Sequence, residues 1–261
     1  MLFFDMGGDN LSENMQRLLQ EFRRISAKGF IKETSTSTGS IGITFEKELG
    51  NNENNLALPD YKDIEIKCSG YYNAIYPITL FSLSFDGPLE NEMVRLVNTY
   101  GHYDKTFKKR KVIYSALSCQ DAYLVNNMYY FKLEICDEEE RVYLAIHDIN
   151  HNLIEKRSYI TFANLKKHLM SKLNNLALIC ALKKYQKGVY SFNYNNIILY
   201  KLKSFATFID LLRNNIIFGE MVYRINKSNS HYGKSSNKNI VLKIKRHCLE
   251  RLFDKIYEEK I

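Results

Sequence analysis

Residues 59–67 read Pro-Asp-Tyr-Lys-Asp-Ile-Glu-Ile-Lys, and from residue 63 to residue 68 apolar Ile64, Ile66 and Cys68 alternate with Glu65 and Lys67. A period of two is the period of a strand. Ile64, Ile66 and Cys68 have to face a core, while Glu65 and Lys67 sit together on the other face. Asp60 lies just before this strand, and Glu46 lies fourteen residues before Asp60. No other stretch constrains the fold so tightly, because it places three acids and a lysine around one half-buried strand.

That grouping has a chemical reading. Carboxylates are hard oxygen ligands suited to a divalent cation such as Mg²⁺. Phosphodiester cleavage needs a cation on the phosphate, a water to attack in line and help with its proton. Lys67 can orient that water and offset charge on the phosphate, or act as a base if its pKa is lowered. Glu46 can hold a water or stiffen the site from behind. The plainer reading is an ordinary Glu-x-Lys ion pair on a solvated strand face. Against it stand the proline before Asp60, the buried isoleucines and the second acid upstream.

The rest of the pattern is mixed. Met15, Leu18, Leu19, Phe22 and Ile25 recur at helical spacing, which predicts a helix over residues 11–28 that stops at Gly29. Residues 34–42 read as a Ser/Thr/Gly loop, 43–49 as a short helix carrying Glu46, and 51–58 as an Asn-rich loop. Strands are expected at 78–85, 159–162 and 176–184, and a hairpin at 129–136 and 141–148 around an acidic turn. Residues 220–225 are expected to pair with 240–245. Helices are expected at 89–100, 164–173, 205–214 and, as the last element, 247–257.

With 261 residues the chain can bury a large core, and no Pro/Gly linker marks a boundary. The expected fold is mixed α/β, with a core sheet flanked by helices. A catalytic lobe at residues 1–120 is expected to share its core with a second lobe at 121–261 that returns strands to the catalytic sheet. The five cysteines are scattered and form no C-x-x-C pair, which reads as reduced thiols in a cytoplasmic protein. The apolar patch at residues 2–4 is broken by Asp5, so neither a signal peptide nor a membrane span is expected.

A net charge of +8 points to a polyanionic partner, nucleic acid ahead of a membrane surface. Two stretches carry it. Residues 105–111 hold five basic side chains around Phe107, among them Lys108, Lys109 and Arg110. Residues 224–246 hold seven and no acid, with Arg224, Lys227, His231, Tyr232, Lys234 and Lys238 as DNA-contact candidates. Arg224 is the best candidate for bidentate contact to guanine; either stretch also reads as a solvated loop. His147 and His151 flank Asp148, where a turn beside the hairpin is a better reading than a metal site. Gly7-Gly8 and residues 39–42 lack the Lys-Ser/Thr of a phosphate-binding loop.

The block Gly39-Ser40-Ile41-Gly42-Ile43-Thr44-Phe45-Glu46, then Leu49-Gly50, Asn54-Asn55-Leu56, Leu58-Pro59-Asp60, Asp63-Ile64-Glu65-Ile66-Lys67 and Thr79-Leu80-Phe81, resembles one family. It is similar to the MvaI/BcnI type II restriction endonucleases, relatives of the mismatch-repair nicking enzyme MutH. Weaker likeness continues in Phe162-Ala163-Asn164-Leu165, Lys172-Leu173 and Leu176, and in Arg224-Ile225 with His231-Tyr232-Gly233-Lys234. The resemblance implies a PD-(D/E)xK nuclease with two lobes around a DNA cleft. It implies Mg²⁺, replaceable by Mn²⁺, held by Asp60, Glu65 and the Ile66 backbone carbonyl. Lys67 is then the water-positioning lysine and Glu46 an accessory acid.

The products implied are 5′-phosphate and 3′-hydroxyl ends on double-stranded DNA. The expected enzyme is a monomer that cuts the two strands in turn, accompanied by a methyltransferase acting on the same site. The chain departs from the pattern after Arg224: the loop is shorter, the family's His-Asp-His cluster is missing, and Val222 stands where an acid is expected. The target sequence therefore stays open. Two alternatives stay open as well: a MutH-like strand-nicking enzyme and a catalytically silent DNA-binding module.

Overall fold

A computed structural model of the chain describes residues 11–37, 39–50, 59–70, 76–227 and 231–261, without the side chains of residues 237 and 238. The patch at residues 2–4, Gly7-Gly8 and the Asn-rich loop at 51–58 lie outside the described residues. In chain order come helix α1 (Glu13–Ser26), strand β1 (Ile31–Lys32), α2 (Ser40–Glu48), β2 (Ile64–Gly70), β3 (Ile78–Leu83), α3 (Glu92–Tyr100), β4 (His102–Tyr103) and β5 (Lys111–Leu117). Next are β6 (Tyr123–Val125), β7 (Tyr129–Cys136), β8 (Arg141–Asp148), β9 (Leu153–Thr161), α4 (Phe162–Leu173), β10 (Asn175–Gln186) and β11 (Val189–Leu202). Then follow α5 (Phe205–Arg213), β12 (Ile217–Ile225), β13 (Ser235–Ile244), a 3₁₀ turn at Arg246–Cys248, α6 (Leu249–Leu252) and β14 (Phe253–Lys260).

The fold is mixed α/β, as expected, and its residues pack as two units. One takes the described residues up to Tyr76, then Met170–Ser204 and Arg246–Ile261; the other takes Pro77–Leu169 and Phe205–Lys245. Each unit is built from separated stretches of chain, and residue 120 lies inside the second unit.

In the first unit α1 buries Met15, Leu18, Leu19, Phe22 and Ile25. The Ser12 hydroxyl accepts the Met15 N–H at 3.3 Å, which caps the helix, and Gly29 follows at φ +69, where a left-handed residue ends it. The apolar stripe lies on a sheet of order β1-β11-β10-β2, with β14 also paired to β11. β10 runs parallel to β2 and antiparallel to β11. The core joins Leu18, Phe22 and Ile25 to Ile64, Ile66, Ala177, Ile179, Phe192, Tyr194 and Ile197. Full burial of one such side chain stabilises by roughly 1.5–3 kcal/mol, so packing outweighs helix propensity in fixing α1 and β2 together.

Two elements of this unit differ from expectation. β11 has no counterpart in the sequence reading because a bulge interrupts its alternation: Cys180 pairs with Asn196 but Ala181 with Tyr194, leaving Asn195 over. Phe192 and Tyr194 face the core before the bulge, Ile197 and Leu199 after it. The expected final helix at 247–257 is instead one short helical turn followed by β14. The Lys/Glu-rich composition favours helix, but the free edge of β11 takes residues 253–260 as an antiparallel strand, Leu202↔Phe253 to Asn196↔Lys260. Phe253 is buried there, and Arg23 holds Glu259 with two bonds of 2.8 Å.

The second unit holds an antiparallel sheet of order β3-β13-β12-β5-β4 and a four-stranded meander β6-β7-β8-β9. The expected hairpin is β7 and β8, paired from Tyr129↔Asp148 to Cys136↔Arg141. The two strands expected at 220–225 and 240–245 do pair, but both are longer and the register is shifted: Ile217↔Ile244 to Ile225↔Ser235, so residues 240–244 lie opposite 217–221. The short strand expected at 159–162 is the end of β9, and Phe162 already opens α4. Among the described residues no helix is long and apolar enough to cross a membrane.

Candidate active site

β2 is an end strand of its sheet among the described residues, and its outer side is where the site forms. Tyr61 and Ile64 exchange backbone bonds of 3.0 and 2.8 Å across a tight turn, with Lys62 at φ +54. Asp63 anchors this turn, accepting from Asn14 on α1 and from Asn175 at the start of β10, each at 2.7 Å. The turn swings Asp60 back along β2, where its Oδ2 accepts the Ile66 N–H at 3.0 Å. A strand residue directs its N–H and C=O to the same side. The Ile66 carbonyl therefore shares the outer edge with Asp60.

Ile64 and Ile66 turn into the core, which sends Glu65 and Lys67 to the opposite face, as the alternation requires. Glu65 is nevertheless fully buried. Its Oε1 accepts from Lys67 Nζ, and Lys172 Nζ, from the last turn of α4, lies 3.4 Å from the same oxygen. Its Oε2 is buried without a hydrogen-bond partner among the described residues. Burial pushes the Glu65 carboxyl up from its ordinary value; Lys67 opposes this, Asp60 adds to it, and Lys172 opposes it.

Glu46 arrives on α2, which starts at Ser40 rather than Ile43. Phe45 is buried against the edge of Tyr194, 5.0 Å between ring centres, and the Tyr194 hydroxyl donates to the Ile41 carbonyl at 2.7 Å. These contacts fix the helix so that Glu46 is half-buried close to β2. The Cys68 thiol registers the same neighbourhood: burial raises its pKa first, then the charges of Glu46 and Asp60, while Lys67 opposes.

The structure thus brings Glu46, Asp60, Glu65 and Lys67 into one neighbourhood of the first unit. Sequence reasoning missed Lys172 as a partner of Glu65, and Asn14 and Asn175 as anchors of the turn. The parallel pairing of β10 with β2 brings Lys172 and Asn175 to the site, and Asn14 reaches Asp63 from α1. The donor set fits a divalent cation. Glu65 Oε2 is a desolvated oxygen without a hydrogen-bond partner among the described residues, Asp60 stands alongside, and both are hard ligands. Among the described residues no three His, Cys, Asp or Glu side chains converge on one point.

The two basic stretches lie in the second unit and meet there. Asp104 accepts the backbone N–H groups of Thr106 and Phe107 at 2.8 and 2.9 Å. These bonds, the one from Phe107 first, and Lys227 at 3.0 Å hold its carboxyl below the ordinary value. Arg110 donates to the Gly233 carbonyl and, at 2.6 Å, to Ser235 Oγ. Phe107 packs on Tyr232, 5.4 Å between ring centres. Arg110 and Lys227 therefore bind the two loops to each other, while Lys108, Lys109, Arg224, His231, Tyr232 and Lys234 are exposed. The side chain of Lys238 lies outside the described residues. Arg224 borders an open groove with His102, Tyr114, Glu220 and Lys243. At the hairpin end Asp148 accepts from Asn150 and Asn152 backbone N–H groups, both at 2.8 Å, as a turn residue does.

The model of the MvaI/BcnI restriction endonuclease family matches residues 19–253. No curated protein sequence matches the chain significantly. Among solved structures, the complex of restriction endonuclease MvaI with its cognate DNA substrate is similar at TM-score 0.87 and 25% identity, over 95% of this chain and 99% of that one. MvaI in the absence of DNA is similar at TM-score 0.61 and 25% identity, over 95% and 98%. With a match across most of its length, and with the acids and lysine of the sequence reading gathered on β2 and α2, the chain belongs to the MvaI/BcnI restriction endonuclease family and is a type II site-specific deoxyribonuclease.

Proposed function

We propose that this enzyme is a Mg²⁺-dependent endonuclease that cuts both strands of double-stranded DNA, leaving 5′-phosphate and 3′-hydroxyl ends. The observation that carries the reading is the buried, unpartnered Oε2 of Glu65 beside Asp60 and Lys67. Asp60, Glu65 and the Ile66 carbonyl would hold the cation, with Mn²⁺ able to replace Mg²⁺. When bound, the cation polarises the scissile phosphate and lowers the pKa of a water. Lys67 orients the attacking water with its ammonium and offsets the charge that grows on the phosphate oxygens. Asp60 keeps the Ile66 edge in place through the Ile66 N–H. Glu46 orients a second water at the rim. Water oxygen bonds to phosphorus as the bond to the 3′ oxygen breaks, and that oxygen ends as the hydroxyl.

MvaI has been crystallised with its cognate DNA, and we extend double-stranded DNA to this chain as substrate. One chain carries one such site, so the two strands are cut in turn by a monomer in the cytoplasm, where a methyltransferase of the same specificity protects the host. The lobe that reads bases is the unit carrying Arg224, and Val222 in place of an acid gives it a target of its own. Digestion of a plasmid of known sequence with Mg²⁺, followed by run-off sequencing, tests all of this. Linear fragments with discrete, ligatable ends are expected. Nicked circles alone would make it a strand-nicking enzyme, and binding without cleavage a silent module.

A further inference from the structure

We propose that the tip of the β10–β11 hairpin is a second DNA-contacting element, one that grips the phosphate backbone beside the cut and not at it. The proposal rests on the reading of the chain as a DNA-cutting enzyme. The end of the hairpin runs past its neighbours. Among the described residues β2 pairs with β10 as far as Gly70↔Ala181 and β1 flanks β11 as far as Lys32↔Ser191, opposite Lys184, while β10 and β11 pair on to Gln186↔Val189. The loop is two residues long, with Lys187 at φ +50 and Gly188 at φ +81. That is the geometry of a type I′ turn, whose first position favours Asn, Asp or Gly. Here a lysine occupies it, at the outermost point of the hairpin.

The tip combines charge with aromatic rings. Lys183, Lys184, Tyr185 and Lys187 are exposed, and none of the three lysines has a carboxylate within ion-pair distance among the described residues. Lys183 Nζ lies over the Tyr190 ring, 3.7 Å from its centre, and Lys184 Nζ over Phe30 at 5.7 Å. Tyr185 packs on Tyr190 at 4.6 Å. Rings under the ammonium groups limit their rotamers, so less freedom is lost when a phosphate is bound. Glu33, nearby on the sheet, accepts the Tyr190 N–H at 2.9 Å and is engaged. Three exposed lysines without a carboxylate partner among the described residues, two at the end of the sheet and one on the projecting turn, match a polyanion, and regular phosphates are its repeating unit.

The hairpin and the active site share one unit and lie on paired strands, β10 and β2, which sets the reach. Leu178 faces Lys67 across the parallel ladder, and Lys184 lies six residues further, or roughly 20 Å at ~3.3 Å per residue. The tip therefore meets duplex up to about six base pairs from the cut, outside a short target. Its contacts are to backbone and carry no sequence information.

The test compares wild type with Lys183→Ala, Lys184→Ala and Lys187→Ala combined, and with the three Lys→Arg changes combined. Metal-free binding is followed by fluorescence anisotropy on two duplexes containing the mapped target. One extends about 15 base pairs beyond the cut on each side, the other about 3. Three phosphate contacts contribute a slope of about 2.7 in log K against log salt. Raising salt from about 50 to about 200 mM should then weaken wild type on the long duplex roughly 40-fold more than the alanine variant. On the short duplex the two should bind alike, and the arginine variant should behave as wild type. Equal slopes for wild type and the alanine variant on the long duplex overturn the hairpin proposal alone. Wild type that binds neither duplex overturns it together with the endonuclease reading.

Discussion

At the scale of single residues the site turns on Glu65. Its carboxyl is buried, one oxygen is shared by two lysines and the other has no hydrogen-bond partner among the described residues. Lys67→Ala and Asp60→Ala should each lower cleavage by about 10³-fold or more while DNA binding survives; full cutting by either in Mg²⁺ would remove the assignment. Lys172 touches Glu65 from α4 and is a positioning residue. Lys172→Ala should cost roughly 10- to 100-fold and raise the Mg²⁺ concentration needed for half-maximal cutting, with Lys172→Arg recovering part of it. Glu65→Gln gives a pH signature. The folded-state pKa of Glu65 is raised by burial. Below the ordinary carboxylate range both folded and unfolded Glu65 are protonated and the burial costs nothing. As pH rises the unfolded chain ionises first, so wild type loses stability until the raised folded value is passed, and no further above it. Thermal melts in chelator should show Glu65→Gln equal to wild type at low pH and more stable at neutral pH. A gap that does not change with pH would sink this account.

Elements differ in how clearly the sequence shows them, and the difference has causes. α1 and β2 are legible because one hydrophobic period runs unbroken through each. Glu65 and Lys67 could be assigned to one face of β2 on that ground alone, before any partner strand is known. β11 is not legible, because Asn195 at the bulge moves the core face from Phe192 and Tyr194 to Ile197 and Leu199. β14 is not legible either, since pairing with β11 and not local preference decides its state. Lys172 was hidden for the same reason, as its distance to Glu65 exists only through the long-range pairing of β10 with β2. The weight of packing over surface charge in β14 can be measured. Phe253→Ala, fully buried, should cost about 3–5 kcal/mol. Arg23→Ala, whose exposed guanidinium pairs with the partly buried Glu259, should cost about 1 kcal/mol. Denaturant melts that reverse this order would show that the ion pair, not the core, holds the strand.

For the whole molecule, the proposed function gives base reading and bond breaking to different stretches of one interleaved chain. Lys108→Ala with Lys109→Ala should reduce the salt slope of DNA binding by about 2 without changing the preferred sequence. Arg224→Ala should instead lose roughly 1–3 kcal/mol of discrimination at one base pair; binding profiles over randomised sites separate the two outcomes. The chain path also bears on timing. Asp60, Glu65 and Lys67 are synthesised early, yet the strand that holds β2 in its sheet begins only at Asn175, after nearly all of the second unit's first stretch has been made. A nascent chain halted before that point carries every acid of the site but neither β10 nor β11 to hold β2 in its sheet. Truncated copies that end before Asn175 are therefore expected to leave plasmid DNA uncut.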